Sequence, residues 1–192
     1  MDTIPERVLI GDRAYFFKTA WAIDDCTKAV EKYAKIEQAG ESVQSRTSRL
    51  YGIVLGREKV LSGQLYHWLD INKCLTWDVV AAASLPERRK WAEQVQRTVQ
   101  SMHAIDVVWG DVKPGNVVID VANGDAVVID FEGGATRGWV DQEIMETKAG
   151  DMQGLGRLVD YILNDSSALR QREKARYRGE TLGDVEADAG SL

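Results

Sequence analysis

The sequence predicts a mixed α+β fold, with strands gathered early in the chain and helices taking over later. Three observations carry this. Short aliphatic and aromatic runs around Gly11-Asp12 and Gly56-Arg57-Glu58 read as strands over 7–18 and 49–69. Two later stretches, from Pro86 to Met102 and from Met152 to Leu163, repeat their apolar residues at helical spacing. Between them Asn123-Gly124 sits among valine- and isoleucine-rich runs and is the strongest hairpin signal in the chain. At 192 residues the chain allows one ordinary domain or two small lobes sharing a core.

Val8 to Ile10 and Ala14 to Phe17 read as paired strands around Gly11-Asp12. Asp24 or Asp25 is expected to cap a helix that runs to Ala39 and stops at Gly40, with Val30, Tyr33, Ala34 and Ile36 on one face. Residues 42–48 are polar and read as a loop; 49–55 and 59–69 read as strands. A short helix is expected over 76–83. A longer one opens at Pro86, a residue tolerated in the first helical turn, with Trp91, Val95, Val99 and Met102 facing inward. Residues 105–109 read as a short buried strand, and 117–121 and 126–131 as the two arms of the hairpin. The helix over 152–163 carries the stripe Leu155, Leu158, Val159 and Ile162. Arg170 to Arg178 is charged and reads as a helical extension with a solvated face, followed by a small, acidic tail over 183–192.

Lys and Arg number 24 against 30 Asp and Glu, a formal charge of −6. That balance argues against nucleic acid or an anionic membrane as the main partner, while leaving room for a local basic patch. No apolar run approaches bilayer-spanning length, and residues 1–7 lack signal-peptide character, so the expected setting is intracellular, in the cytoplasm. Cys26 and Cys74 lack zinc-ligand spacing and read as inert thiols. His67 and His103 lie on apolar segments and read as packing residues; Trp21, Trp68, Trp91 and Trp139 read as core.

The chemistry concentrates in Trp109-Gly110-Asp111-Val112-Lys113-Pro114-Gly115-Asn116, which feeds the hairpin. With a two-residue turn at Asn123-Gly124, Asp130 faces Val117, and Asn116 lies beside that pair; a longer turn shifts the register without parting the two ends. Oxygen donors from Asn116 and Asp130, with Asp111 and Lys113 close by, suit a hard cation and a phosphate. Lys113 can neutralise a transferred phosphoryl group, and Asp111 can orient or deprotonate an attacking hydroxyl.

Asp111-x-Lys113-x-x-Asn116 followed by Asp130-Phe131 resembles the catalytic loop and metal-binding motif of protein kinases. Gly110-Asp111 and Asp130-Phe131-Glu132 look still more like the aminoglycoside phosphotransferase branch of that superfamily. The stretch from Met102 to Gly156, with its WGD loop and Gly138-Trp139-Val140-Asp141, is similar to small fungal kinase-like proteins. Asp151-x-x-x-Leu155-Gly156 resembles the opening of the buried helix whose aspartate braces the catalytic loop. More weakly, Phe16-Phe17-Lys18 looks like the strand whose lysine holds the nucleotide phosphates, and residues 65–70 sit where an adenine-binding hinge belongs.

The resemblance implies a two-lobed protein-kinase-like fold, with a reduced N-lobe over 1–64, a short helical C-lobe over 65–164 and a charged tail over 165–192. It implies ATP and Mg2+ as cofactors and phosphoryl transfer to a hydroxyl of a protein or a small molecule. Asp111 and Lys113 would be catalytic, Lys18 would anchor the nucleotide, and Asn116 and Asp130 would hold the metal. Departures are plain. No G-x-G-x-x-G precedes Lys18; Ala29 stands where a helix glutamate should pair with it, with Glu31 or Glu37 as substitutes; Trp109 replaces the usual histidine; and no A-P-E follows Asp130. A catalytically inactive scaffold and, more distantly, a metal-dependent phosphohydrolase are the rival readings. Asp151 itself is expected to be buried, hydrogen-bonding the backbone of residues 108–111.

Overall fold

Four antiparallel strands build the first sheet, with burial alternating along its edge. β1 (Arg7–Ile10) and β2 (Arg13–Thr19) form the hairpin expected around Gly11-Asp12. β3 (Leu50–Leu55) and β4 (Leu61–His67) complete an antiparallel sheet in the order β1-β2-β4-β3. The computed structural model describes residues 6–20, 22–40, 46–134 and 136–179; Trp21, most of the polar loop over 42–48 and the tail over 183–192 fall outside them wholly or in part.

α1 (Ile23–Gln38) links β2 to β3 and turns Cys26, Ala29, Tyr33 and Ile36 inward. Its N-cap is Ala22 and not Asp24 or Asp25; both aspartates lie in the first turn, where the helix dipole still favours them. Gln64 on β4 ties the sheet to this helix. Its Nε2 donates to Cys26 Sγ at 3.0 Å and to the Cys26 carbonyl at 3.3 Å, while its Oε1 accepts from the Tyr66 hydroxyl.

A second sheet, β5-β6-β7, joins β5 (Ile71–Cys74), β6 (Val117–Asp120) and β7 (Ala126–Val128). β5 is too short and polar to have been visible as a strand; it exists because β6 offers it an edge. The hairpin turn is longer than two residues. Val117 faces Val128, not Asp130, and β7 ends before Phe131. The physical cause is side-chain capture of the turn backbone: Asp120 Oδ1 accepts from the Ala122 amide and Asn123 Oδ1 from the Asp125 amide, which widens the loop.

The helices are α2 (Trp77–Ala82), α3 (Leu85–Ala104), α4 (Lys148–Leu163) and α5 (Ala168–Arg178). Ser84 and Glu87 cap α3 reciprocally, with Pro86 in its first turn. Trp91, Val95, Val99 and Met102 are buried together with Leu155, Leu158 and Ile162 of α4 in one continuous core. Residues 105–109 are not a strand. The chain folds back at the end of α3, where the Val107 amide donates to the Met102 carbonyl at 3.0 Å and Asp106 adopts a φ of 56°. Val107 and Trp109 are apolar because they are buried, not because they join a ladder.

α4 starts one turn earlier than its apolar stripe indicates. The Thr147 hydroxyl caps it by accepting from the Gly150 amide at 3.0 Å. Gly154 lets this helix approach the loop over 109–116, since a Cβ there would lie 2.7 Å from the Cβ of Val112. Gly154→Ala is therefore expected to lower stability by about 1–3 kcal/mol through overpacking, read as a lower midpoint in chemical denaturation; an unchanged midpoint would mean that α4 can slide away from Val112. α5 is charged but not simply solvated: Arg170 is buried, and it shares Asp165 with Arg88, each nitrogen 2.6 Å from Oδ1. Among the described residues no helix is long and apolar enough to cross a membrane.

Candidate active site

The loop over 109–116 has almost no regular structure of its own, so neighbours must hold it. Asp151, only 1% exposed in the first turn of α4, does so. Its Oδ2 accepts from the Trp109 amide at 2.7 Å and its Oδ1 from the Gly110 amide at 2.8 Å. His103 Nε2 lies 2.8 Å from Oδ2, which makes this histidine a brace for the aspartate and not a packing residue. A buried carboxylate is stable here because donors satisfy both oxygens. Trp109 fastens the loop on its other side: the indole Nε1 donates to the Ile129 carbonyl at 3.0 Å, one residue before Asp130. Gly110 has a φ of 96°, and a Cβ there would meet Gly133 Cα at 3.2 Å, so the loop and the segment after Asp130 touch backbone to backbone.

Asp111 and Asn116 are buried within this frame. Lys113 Nζ donates to Asp111 Oδ2 at 2.5 Å. Asn116 Nδ2 donates to the Asp111 carbonyl at 2.9 Å and to Asp111 Oδ2 at 3.1 Å. The Ile129 amide donates to the Asn116 carbonyl at 3.0 Å and keeps the two hairpin ends together in spite of the shifted register. Asp130 follows in the left-handed region at φ 63°, a conformation that aspartate tolerates better than most residues.

Lys18 reaches this point from β2. Its Nζ lies 2.8 Å from Asp130 Oδ1 and 3.0 Å from Glu132 Oε2. Burial pushes its pKa down, but the hydrogen bond and charge of Asp130, then those of Glu132, outweigh that and hold it above the ordinary lysine value. The carboxylates paired with Lys18 thus come from the segment after β7 and not from α1, where Ala29 is buried and Glu31 and Glu37 are exposed. α1 contributes lysines instead. Lys32 Nζ donates to the Trp109 carbonyl at 3.3 Å, Lys35 Nζ to the Asp106 carbonyl at 3.2 Å, and Lys28 pairs with Glu146 at 3.3 Å. Glu146 also accepts from the Gly134 amide at 2.9 Å, and that bond, opposed by burial and aided by Lys28, lowers its pKa.

A cleft of about 400 Å³ opens between the first sheet and the hairpin. Phe16, Trp68, Leu69, Val118 and Ile129 line it on the apolar side; Lys18, Asn116 and Asp130 lie at its polar end. Trp68 is therefore a cleft residue, 36% exposed, where the sequence reading placed it in the core; Trp91 and Trp139 are buried. His67 is on the rim, its pKa lowered by burial and by the charges of Arg49 and Arg13. Behind the cleft Phe131 is fully buried, its ring 5.0 Å from Tyr33 of α1.

The donor set fits a hard divalent cation. Asn116 spends its amide nitrogen on Asp111, which leaves its oxygen for a metal, and Asp130 adds a carboxylate; magnesium commonly takes only one or two protein oxygens. Among the described residues no group of three or more His, Cys, Asp or Glu is placed to hold a metal ion. Thr136, Glu132, Glu146 and His103 belong to the site and were not assigned to it from sequence. Only Glu132 stood inside a quoted motif, and none of the others has a local signal.

No curated protein sequence matches the chain. Among solved structures, the kinase PK-1 of the Cydia pomonella granulovirus matches with a TM-score of 0.66 at 14% identity, over 81% of this chain and 61% of that one. At that identity the likeness is one of fold, and the chain spans less than two thirds of the viral kinase. The model of the lipopolysaccharide kinase (Kdo/WaaP) family matches residues 54–178, a range that contains Asp111, Lys113, Asn116, Asp130 and Asp151 but not Lys18. The chain thus belongs to the lipopolysaccharide kinase (Kdo/WaaP) family and has a protein-kinase-like fold.

Proposed function

We propose that the chain transfers the γ-phosphoryl group of ATP, with magnesium, to a hydroxyl. The observation that carries this reading is the meeting of Asp111, Lys113 and Asn116 in one hydrogen-bonded group beside a cleft whose polar end holds Lys18 and Asp130. In this reading the N-terminal lobe, whose sheet runs on past residue 64 to His67 at the end of β4, supplies one wall of the nucleotide cleft; the region over 65–164 supplies the other wall and the transfer groups, and 165–192 follows it. The apolar walls take the base, and Lys18 holds the inner phosphates. Asn116 and Asp130 hold the cation, which when bound neutralises charge on the phosphate oxygens. Lys113 steadies the group in flight, and Asp111 orients the hydroxyl and takes its proton. A small-molecule acceptor is favoured over a peptide, because the segment from Asp130 to α4 is short and pinned by Glu146 and by the Asp141–Arg157 ion pair at 2.9 Å. The family's printed substrate, a lipopolysaccharide, likewise speaks against a peptide, and the resemblance of Asp130-Phe131-Glu132 to aminoglycoside phosphotransferases favours a small molecule.

A thermal-shift titration with ATP, with and without magnesium, tests the reading. Ligand bound to the native state raises the unfolding temperature by mass action, so a magnesium-dependent upward shift is expected. Absence of any shift at millimolar ATP would favour the second reading, an inactive scaffold. That reading draws on one observation: Lys18 is paired with Asp130, the carboxylate the metal would share.

Lys18 is expected to keep its orientation through Glu132, the partner it does not lose when a cation takes Asp130. Glu132→Gln should weaken ATP binding about two- to fivefold, the equivalent of about 0.5–1 kcal/mol for a partly exposed pair, with kcat nearly constant. A fall in kcat at unchanged KM for ATP would instead place Glu132 in the chemical step.

A further inference from the structure

Where α3, α4 and α5 meet, two arginines share one carboxylate. Arg88, in the first turn of α3, donates from Nη1 to Asp165 Oδ1 at 2.6 Å. Arg170, in the first turn of α5, donates from Nη2 to the same oxygen at 2.6 Å. The Arg170 side chain is only 7% exposed. Around this ion pair three buried donors have no partner among the described residues: Arg170 Nη1, Arg88 Nε and the Ser167 hydroxyl. Ser167 is the N-cap of α5 and 1% exposed, yet its side chain does not cap the helix. Glu173, on the same helix, accepts from the Tyr161 hydroxyl instead. A helix N-terminus and a guanidinium fork both favour an anion. α5 adds to that field, with five Lys and Arg against one Glu in a chain of net charge −6.

We propose that this junction is a binding site for a phosphate monoester, and that Asp165 stands in for the ligand in the free protein. The donors identify the occupant. Asp165 is a carboxylate already in place, and it leaves three donors unmet, so another carboxylate would do no better. A phosphate monoester brings three terminal oxygens. One takes the position of Asp165 Oδ1 between the guanidiniums, and the others reach the second arm of the Arg170 fork and the Ser167 hydroxyl. Its charge of about −1.5 to −2 matches two arginines, where Asp165 supplies one negative charge. Entry does not require unpacking of the core, because the Asp165 side chain is 78% exposed and can swing aside. The site is separate from the candidate transfer centre. From Asp151 to the end of α4 at Leu163 the helix is about 18 Å long at 1.5 Å per residue, and Asp165 lies beyond that end. A ligand held there does not enter the cleft.

The test follows the unfolding temperature of the full chain against inorganic phosphate, with chloride at matched ionic strength as the reference. A rise specific to phosphate is expected. Asp165→Asn removes the competing charge and should tighten phosphate binding about two- to fivefold, the size of an exposed charge contact. Arg170→Lys keeps the charge but loses the fork and should abolish the rise; Ser167→Ala should weaken it. Lys18→Met should leave it unchanged, because the cleft takes no part. Should Arg170→Lys fail to fold, Asp165→Asn and Ser167→Ala decide alone. An equal rise with chloride, a rise lost in Lys18→Met, or Asp165→Asn with no gain in phosphate affinity would overturn the proposal. Phosphatidylcholine vesicles with and without phosphatidic acid separate the two sources of such a group. Sedimentation with phosphatidic acid that Arg170→Lys abolishes assigns the phosphate to a lipid headgroup; a phosphate rise without vesicle binding assigns it to a soluble compound. Vesicle binding that survives Arg170→Lys, with no phosphate rise in the parent protein, would also overturn it, by reducing the attraction to the general charge of α5.

Discussion

Asp111→Asn is expected to lower turnover by about 10²–10⁴-fold, the range typical of a lost general acid–base group, while ATP binding stays within a few-fold of the parent protein. The asymmetry follows from where Asp111 sits. Its carboxylate faces Lys113, Asn116 and Thr136, whereas the cleft walls and the Lys18–Asp130 pair lie on the side proposed for the nucleotide. Asparagine keeps the shape and one acceptor oxygen, so the buried loop survives, but it offers no anion to take a proton. Single-turnover measurement of phosphoryl transfer beside an equilibrium binding assay separates the two effects. Asp130→Asn should show the opposite pattern, weakening magnesium-dependent binding first. If the two variants lose binding and turnover in the same proportion, the roles assigned to Asp111 and Asp130 are wrong.

Asp151→Ala is expected to remove about 1–3 kcal/mol of stability and to depress turnover with it, although Asp151 touches no substrate. Its carboxylate is the acceptor for two backbone amides of the loop over 109–116, and the substitution buries those amides without partners. The same loss frees Gly110 and so loosens Asp111 next to it. With total stability for a domain near 5–15 kcal/mol, a loss of that size shows clearly as a lower denaturation midpoint. Asp151→Asn, which can still accept one amide, should fall between the two. A variant that loses stability but keeps full turnover would mean that the Trp109 indole and Lys32 suffice to hold Asp111 in place.

How much of this was legible in the sequence differs from part to part. The α3 and α4 stripes were readable because burial of one helix face imposes a period that survives in a linear string. The role of Asp151 was readable too. A carboxylate at the start of a buried helix has to find donors, and the loop over 108–111 was the nearest supply. The two ends of the hairpin at Asn116 and Asp130 do lie together, tied by the Ile129 amide to the Asn116 carbonyl, even though the register was misread. The ends of a hairpin stay together for any turn length, whereas the facing pair depends on where Asp120 and Asn123 direct their side chains. Residues 105–109 were misread as a strand because an apolar run records burial alone and says nothing of hydrogen-bond partners.

By itself, then, the sequence determined the mixed α+β architecture, the two packed helices, the hairpin and the candidate residues for the proposed phosphoryl transfer, all of them properties of neighbours along the chain. Only the tertiary structure decided which groups from distant segments meet: Lys18 with Glu132 where no helix glutamate exists, His103 with Asp151, the lysines of α1 with the backbone around Trp109, and Thr136 with Asp111. Such pairs are set by packing across tens of residues, and a single charged or hydroxyl side chain has no periodicity by which its partner can be read in advance.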